Sequence, residues 1–217
     1  MKFKPKAIIF DMDGVLLDSE PLHAKITQKM FDNLNIEVGE QEYESFIGSN
    51  LQYMWSYLKQ KHALPNSVEQ LIEQNKKLLY SEFKKINKLK PMPGLLPFLQ
   101  KTAGLPLAVA SSTHSKLVIL ILNKLGIRDY FDSILGGENV TNPKPSPEIF
   151  LKSAEFLHTK PANILVIEDS ANGVNAAKMA GMYCAALQTN STSKQDINKA
   201  DLTVKSFFEL QNKIILD

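Results

Sequence analysis

Lys6-Ala-Ile-Ile-Phe-Asp-Met-Asp-Gly-Val15 is the stretch on which the fold turns. Residues 6–10 form a short apolar run with two β-branched isoleucines, the texture of a strand buried on both faces, and the run ends at Asp11. Asp13 and Gly14 follow at once. Acids placed straight after a strand have two readings. They can cap the next helix, or they can line a pocket at the strand's carboxyl end.

Downstream, the texture changes. From Ser19 to about Lys88 there are only two glycines, and residues 18–90 carry ten acidic and ten basic side chains. The apolar residues recur at helical spacing: Leu22, Ile26, Met30, Leu34, then Leu51, Met54, Trp55, Leu58, then Val68, Leu71, Ile72, Leu79, Phe83. This predicts a bundle of four or five helices, closed off by Pro91-Met-Pro-Gly94. After Gly94 helices and strands alternate: helix 95–102, strand 107–110, helix 115–125, strand 133–135, helix 147–157, strand 164–167, helix 172–180 and strand 182–187. Alternation of this kind implies an α/β fold, a doubly wound and mainly parallel sheet of Rossmann-like type covered on both faces. The first strand cannot bury itself alone, so it belongs to that sheet. The predicted core is therefore discontinuous, residues 1–17 and 89–217, with an all-α unit inserted at residues 18–88.

Ligands of open α/β sheets bind outside the carboxyl ends of the strands. Asp11-Met-Asp13 follows the first strand, Ser111-Ser112-Thr113 the second, and Glu168-Asp169-Ser170 the strand 164–167. The loop before the helix at Pro147 holds Asn142-Pro-Lys144-Pro145. Each piece has a plain reading as a cap or a solvated charge, Ser146-Pro147 for instance as an N-cap followed by proline at the first helical position. Their convergence on one sheet edge favours chemistry. Clustered carboxylates repel, and a hard cation such as Mg²⁺ relieves that. Two prolines restrict the backbone around Lys144.

Composition excludes several classes. Hydrophobic residues make up 44% and charged residues 22% of 217, a core-forming balance. The longest apolar run, residues 117–122, is far below the roughly 20 residues of a membrane helix. The apolar stretch at 7–10 is too short for a signal peptide. A net charge of +2 and a single arginine, Arg128, argue against nucleic acid. The lone Cys184 has no internal disulfide partner and sits in an apolar strand, so a reducing cytoplasm is the expected compartment.

Asp11-Met-Asp13-Gly14-Val15, Ser111, Lys144 and Glu168-Asp169, in that order, resemble the four motifs of the haloacid-dehalogenase superfamily. The likeness covers essentially the whole chain, including the helical cap after the first motif. Phe10-Asp-Met-Asp-Gly-Val-Leu-Leu-Asp-Ser-Glu-Pro-Leu-His23 is similar to its β-phosphoglucomutase-like branch, which contains many sugar-phosphate phosphatases. The resemblance implies Asp11 as nucleophile and Asp13 as general acid and base. It implies Ser111, Ser112 and Lys144 around the phosphate, and Mg²⁺ held by Asp11, Asp13, Glu168 and Asp169, with His23 as a cap residue near substrate or an ordinary exposed histidine.

Asp13 points away from the dehalogenases and phosphonatases of the superfamily, which have no aspartate there. Mutase members carry an arginine just after a cap glycine, where this chain reads Gly48-Ser-Asn-Leu51-Gln52. The expected activity is thus an Mg²⁺-dependent phosphatase for a small phosphorylated metabolite, a sugar phosphate foremost. The alternatives are a hexose-phosphate mutase and, from another class, a phospho-receiver-like or catalytically silent binding module. No nucleic-acid or membrane partner is expected, and the oligomeric state is open, a monomer being compatible. Trp55 and Tyr53 have two readings, core packing and an aromatic platform for a sugar.

Overall fold

The computed structural model describes residues 2–46, 51–189 and 195–216. In chain order, strand β1 (Ala7–Phe10) is followed by helices α1 (Glu20–Leu34), α2 (Glu40–Glu44), α3 (Leu51–His62) and α4 (Val68–Lys85). Then come α5 (Leu95–Lys101), β2 (Leu107–Ala110), α6 (Ser115–Leu125), β3 (Ser133–Leu135), α7 (Glu148–Phe156) and β4 (Ile164–Glu168). Helix α8 (Ala171–Met179), strands β5 (Tyr183–Leu187) and β6 (Leu202–Val204), and α9 (Phe207–Lys213) complete the chain. None of the described helices is long and apolar enough to cross a membrane.

The chain divides into two compact units, Met1–Ser19 with Asn87–Asp217, and Glu20–Ile86. In the first, six strands form one all-parallel sheet in the order β3-β2-β1-β4-β5-β6. The central strand β1 sets Ile9 beside Ala108 of β2 on one side and Val166 of β4 on the other. Every residue of β1, β2 and β4 is buried, which is why these strands read as unbroken apolar runs. Side chains alternate between the faces. Ile9, Ala108 and Val166 pack with Phe150 of α7 and Val174 of α8 in one cluster. Phe10, one residue on, meets the rings of Phe98, Phe131 and Phe207.

Three local differences from the sequence reading have physical causes. Helix α7 begins at Glu148, with Pro147 as its N-cap and Ser146 Oγ accepting from the Glu148 N–H at 3.4 Å; proline precedes the first turn instead of occupying it. Helix α8 starts at Ala171 because Ser170 Oγ accepts from the Gly173 N–H at 3.1 Å and caps it. Strand β6 is not legible in the sequence: three residues with Thr203 exposed carry too little periodic signal.

The helical unit packs α1, α3 and α4 around Met30, Phe31, Met54, Trp55, Leu58 and Leu71. Trp55 is fully buried, so the core reading of that residue holds, whereas Tyr53 stands 56% exposed. Ser67 and Gln70 form a reciprocal capping box at the start of α4. Gly48, Ser49 and Asn50, part of the segment compared with the mutases, lie outside the described residues.

Candidate active site

The strand order reverses at β1, with β2 and β3 on one side and β4 to β6 on the other. The crevice beyond the carboxyl ends of β1 and β4 is the switch point at which such sheets bind ligands. Asp11 is the first residue past β1 and stays in register, its N–H donating to the Ile167 carbonyl at 2.9 Å. Gly14 (φ +73°) then turns the chain back, and its N–H reaches the Leu17 carbonyl at 2.9 Å. A second reason for glycine is space, since a Cβ there would stand 1.9 Å from Asp169 Oδ2.

Lys144 comes from the loop before α7 and ties three strand ends together. Its ammonium donates to Asp11 Oδ1 at 2.5 Å, to Glu168 Oε1 at 2.7 Å and to the Ala110 carbonyl at 3.0 Å. Those bonds use all three of its protons. The ammonium also lies 4.8 Å from the centre of the Phe150 ring. Burial alone would lower the pKa of Lys144, but the charges of Asp11 and Glu168 more than offset it and hold the group above the ordinary lysine range. Burial acts oppositely on Asp11, raising its carboxyl to about 7 against the pull of Lys144, with Glu168 and Asp13 adding to the rise.

Asp13 is held by two hydroxyls that the sequence reading did not single out. Ser19 Oγ donates to Oδ1 at 2.6 Å and Thr113 Oγ1 to Oδ2 at 2.9 Å. Ser111 is buried, and its Oγ accepts from the Thr113 N–H at 3.0 Å, so it shapes the turn that delivers Thr113. Ser112 is exposed, and its carbonyl faces Gly137, where a Cβ would come within 2.4 Å. Glu168 has no exposure at all. Its Oε2 accepts from the Asp169 N–H, the Ser170 N–H and Ser170 Oγ at 2.9, 3.0 and 3.0 Å. The carboxyl of Asp169 is pushed well above the usual carboxylate range, first by burial and then by Glu168, Asp11 and Asp13. His23 belongs to the helical unit, its ring 5.7 Å from that of Phe83.

Among the described residues no three His, Cys, Asp or Glu side chains form a ready cage for an ion. The donor chemistry nevertheless suits a hard cation. It is made of oxygen only, and both Asp11 and Asp169 are raised by burial and by neighbouring negative charge, which a divalent cation would relieve. A concavity of about 580 Å³ near the amino end of β2, between Thr102, Asp129, Tyr130 and Phe156, contains none of these groups.

A family model described as haloacid dehalogenase-like hydrolase matches residues 8–187. A protein from Thermotoga maritima named phosphorylated carbohydrates phosphatase is 34% identical over 183 residues, 82% of each chain. Among solved structures, CbbY from Rhodobacter sphaeroides in complex with xylulose-(1,5)bisphosphate superposes with a TM-score of 0.86 at 25% identity, covering 97% of this chain and all of that one. β-Phosphoglucomutase from Clostridium difficile gives 0.79 at 28% identity, covering 95% and 93%.

Proposed function

Since the chain belongs to the haloacid dehalogenase-like hydrolases and is a phosphatase of that family, we propose that it hydrolyses a small sugar phosphate through a covalent phosphate on Asp11. The observation that carries this reading is the placement of Lys144 against Asp11 at the switch point, with Asp13 two residues away and held on both oxygens.

Asp11 needs no general base, because its carboxylate is itself the nucleophile. The charge of Lys144 together with a bound divalent cation would favour that ionised form against the burial that raises its pKa. Its oxygen attacks phosphorus, the ester P–O bond breaks, and Asp13 in its acid form passes a proton to the departing sugar oxygen. Asp13, now a carboxylate, takes a proton from water as that water attacks the phosphorus of the acyl phosphate. The Asp11–phosphate bond breaks, and inorganic phosphate leaves with Asp11 regenerated. Transfers through a positioned acid and base of this kind contribute roughly 10²–10⁴-fold. Lys144 offsets the charge of phosphate and carboxylate in both steps, and this reading assigns the phosphoryl oxygens to Ser111 and Ser112 with the amides beside them. Mg²⁺ held by the Asp11 and Asp169 carboxylates and the Asp13 carbonyl would supply the positive charge that lets a carboxylate approach a phosphate dianion. Glu168 serves Lys144 in this reading, since its carboxylate already has four donors.

The test is phosphate release from a panel of phosphomonoesters, with Mg²⁺ and with EDTA. Sugar phosphates should be turned over and chelation should stop the reaction. Asp11→Asn should fold normally and lose roughly four orders of magnitude in kcat. Near-normal turnover in that variant defeats the mechanism, and full activity in EDTA defeats the role given to Mg²⁺.

A further inference from the structure

Gly173 lies in the first turn of α8, a position where alanine is ordinarily the more favourable residue. Its φ is outside the left-handed region, so conformational freedom does not account for a glycine there. Space does. A Cβ on Gly173 would lie 1.7 Å from Glu168 Oε1, 1.9 Å from its Cδ and 2.3 Å from Oε2. The Glu168 carboxylate occupies the volume that any side chain at 173 would fill.

Glu168 has no easy way to yield that volume. Its side chain is buried and meets four donors, one of them Lys144. Displacing it would take the partner from Ser170 Oγ, which caps α8, and from an ammonium that is itself only 5% exposed. Lys144 would keep Asp11 and the Ala110 carbonyl but lose the second charge that fixes it between β1 and β4. A buried charge stripped of a partner moves or draws in water.

We propose that Gly173 is a positioning residue for the phosphotransfer reaction. The side chain it lacks is the space into which Glu168 folds, and through Glu168 it sets where Lys144 stands. The inference rests on the proposed function only for what Lys144 does to phosphate; the steric dependence of residue 168 on residue 173 is independent of it.

The experiment compares full-length wild type, Gly173→Ala, Glu168→Asp and the double variant. It reads melting temperature, the calorimetric affinity for inorganic phosphate in Mg²⁺, and kcat and KM on an active phosphomonoester. Gly173→Ala should weaken phosphate binding and kcat/KM by about 10–100-fold, the usual effect of removing a supporting partner. In the Glu168→Asp background, where the acid is one carbon shorter, the same glycine-to-alanine change should cost no more than about twofold. A role confined to helix packing would give equal losses in both backgrounds, and that result overturns the proposal. So does a folded Gly173→Ala protein with wild-type phosphate affinity.

If Gly173→Ala does not fold, recovery of folded protein in the double variant supports the proposal, and a double variant that stays unfolded overturns it. A wild type that releases phosphate from no phosphomonoester defeats the proposed function instead. The steric dependence of residue 168 on residue 173 is then decided by melting temperature: it stands if the effect of Gly173→Ala disappears in the Glu168→Asp background and falls if the effect is unchanged there.

Discussion

Asp13 shows how much of the candidate site depends on neighbours that carry no motif. The general acid of the proposed reaction must present one carboxyl oxygen in a fixed direction, and Ser19 and Thr113 each donate to a different one. A hydrogen bond to a charged group contributes about 1.5–3 kcal/mol. Thr113→Val keeps the side-chain shape and deletes one donor. It should therefore lower kcat about tenfold with the fold intact. Steady-state kinetics checked against a thermal melt decide this, and an unchanged kcat means that Ser19 alone orients the acid. The spacing of Asp11 and Asp13 was legible in the sequence. The hydroxyl of Thr113 was not, because threonine after a strand is an ordinary turn residue until the fold brings it to Asp13.

At the scale of elements, the loop that delivers Lys144 is anchored by the first residue of α7. The Glu148 carboxylate accepts from the Thr141 and Asn142 N–H groups, both at 2.9 Å, and pairs with Lys152 one turn on. The hydrogen bond from the Thr141 N–H, then that from Lys152, hold its pKa down at about 2, below the ordinary 4.5. A carboxyl depressed by folding adds stability that is present above the ordinary value and lost as pH falls through the folded one. Between about pH 4.5 and 2 wild type should therefore lose stability that Glu148→Gln lacks at every pH. Acid unfolding curves followed by circular dichroism should lie apart at neutral pH and converge toward pH 2; parallel curves would remove Glu148 as the anchor. In the sequence this boundary reads as Ser-Pro capping, since local pattern says nothing of a glutamate turning back onto the preceding loop.

For the whole molecule the open choice is hydrolysis or mutase chemistry. A mutase passes its covalent phosphate to a sugar and retains a bisphosphate, which calls for a second site, best built on the planar fork of arginine. The single arginine here, Arg128, is committed within the core unit, its Nη1 donating to the Phe131 carbonyl at 2.9 Å. In the helical unit the Lys59 ammonium is likewise engaged, with the Leu64 and Asn66 carbonyls at 2.7 and 2.6 Å. Hexose phosphates should therefore give net phosphate release, with little interconversion of 1- and 6-phosphates even when primed with a hexose bisphosphate. ³¹P NMR follows both reactions in one tube. Interconversion that outpaces release under priming would place the protein with the mutase it resembles in fold.

What the sequence determined by itself is whatever has a short period. Strand β1, the helix–strand alternation and the apolar helical spacing of Met54, Trp55 and Leu58 all repeat within a few residues, and burial imposes those repeats directly on composition. The order of Asp11, Ser111, Lys144 and Glu168 likewise marked which strand ends matter, because a parallel sheet puts all its carboxyl ends on one edge. Tertiary structure alone decided who holds whom. Thr113 meets Asp13 across 100 residues of chain and Lys144 meets Asp11 across 133. The glycine at 173 gains its meaning only when the Glu168 carboxylate is seen in the place of its missing side chain. Distances of that kind follow from close packing, which joins residues regardless of their separation and so leaves no periodic trace to read.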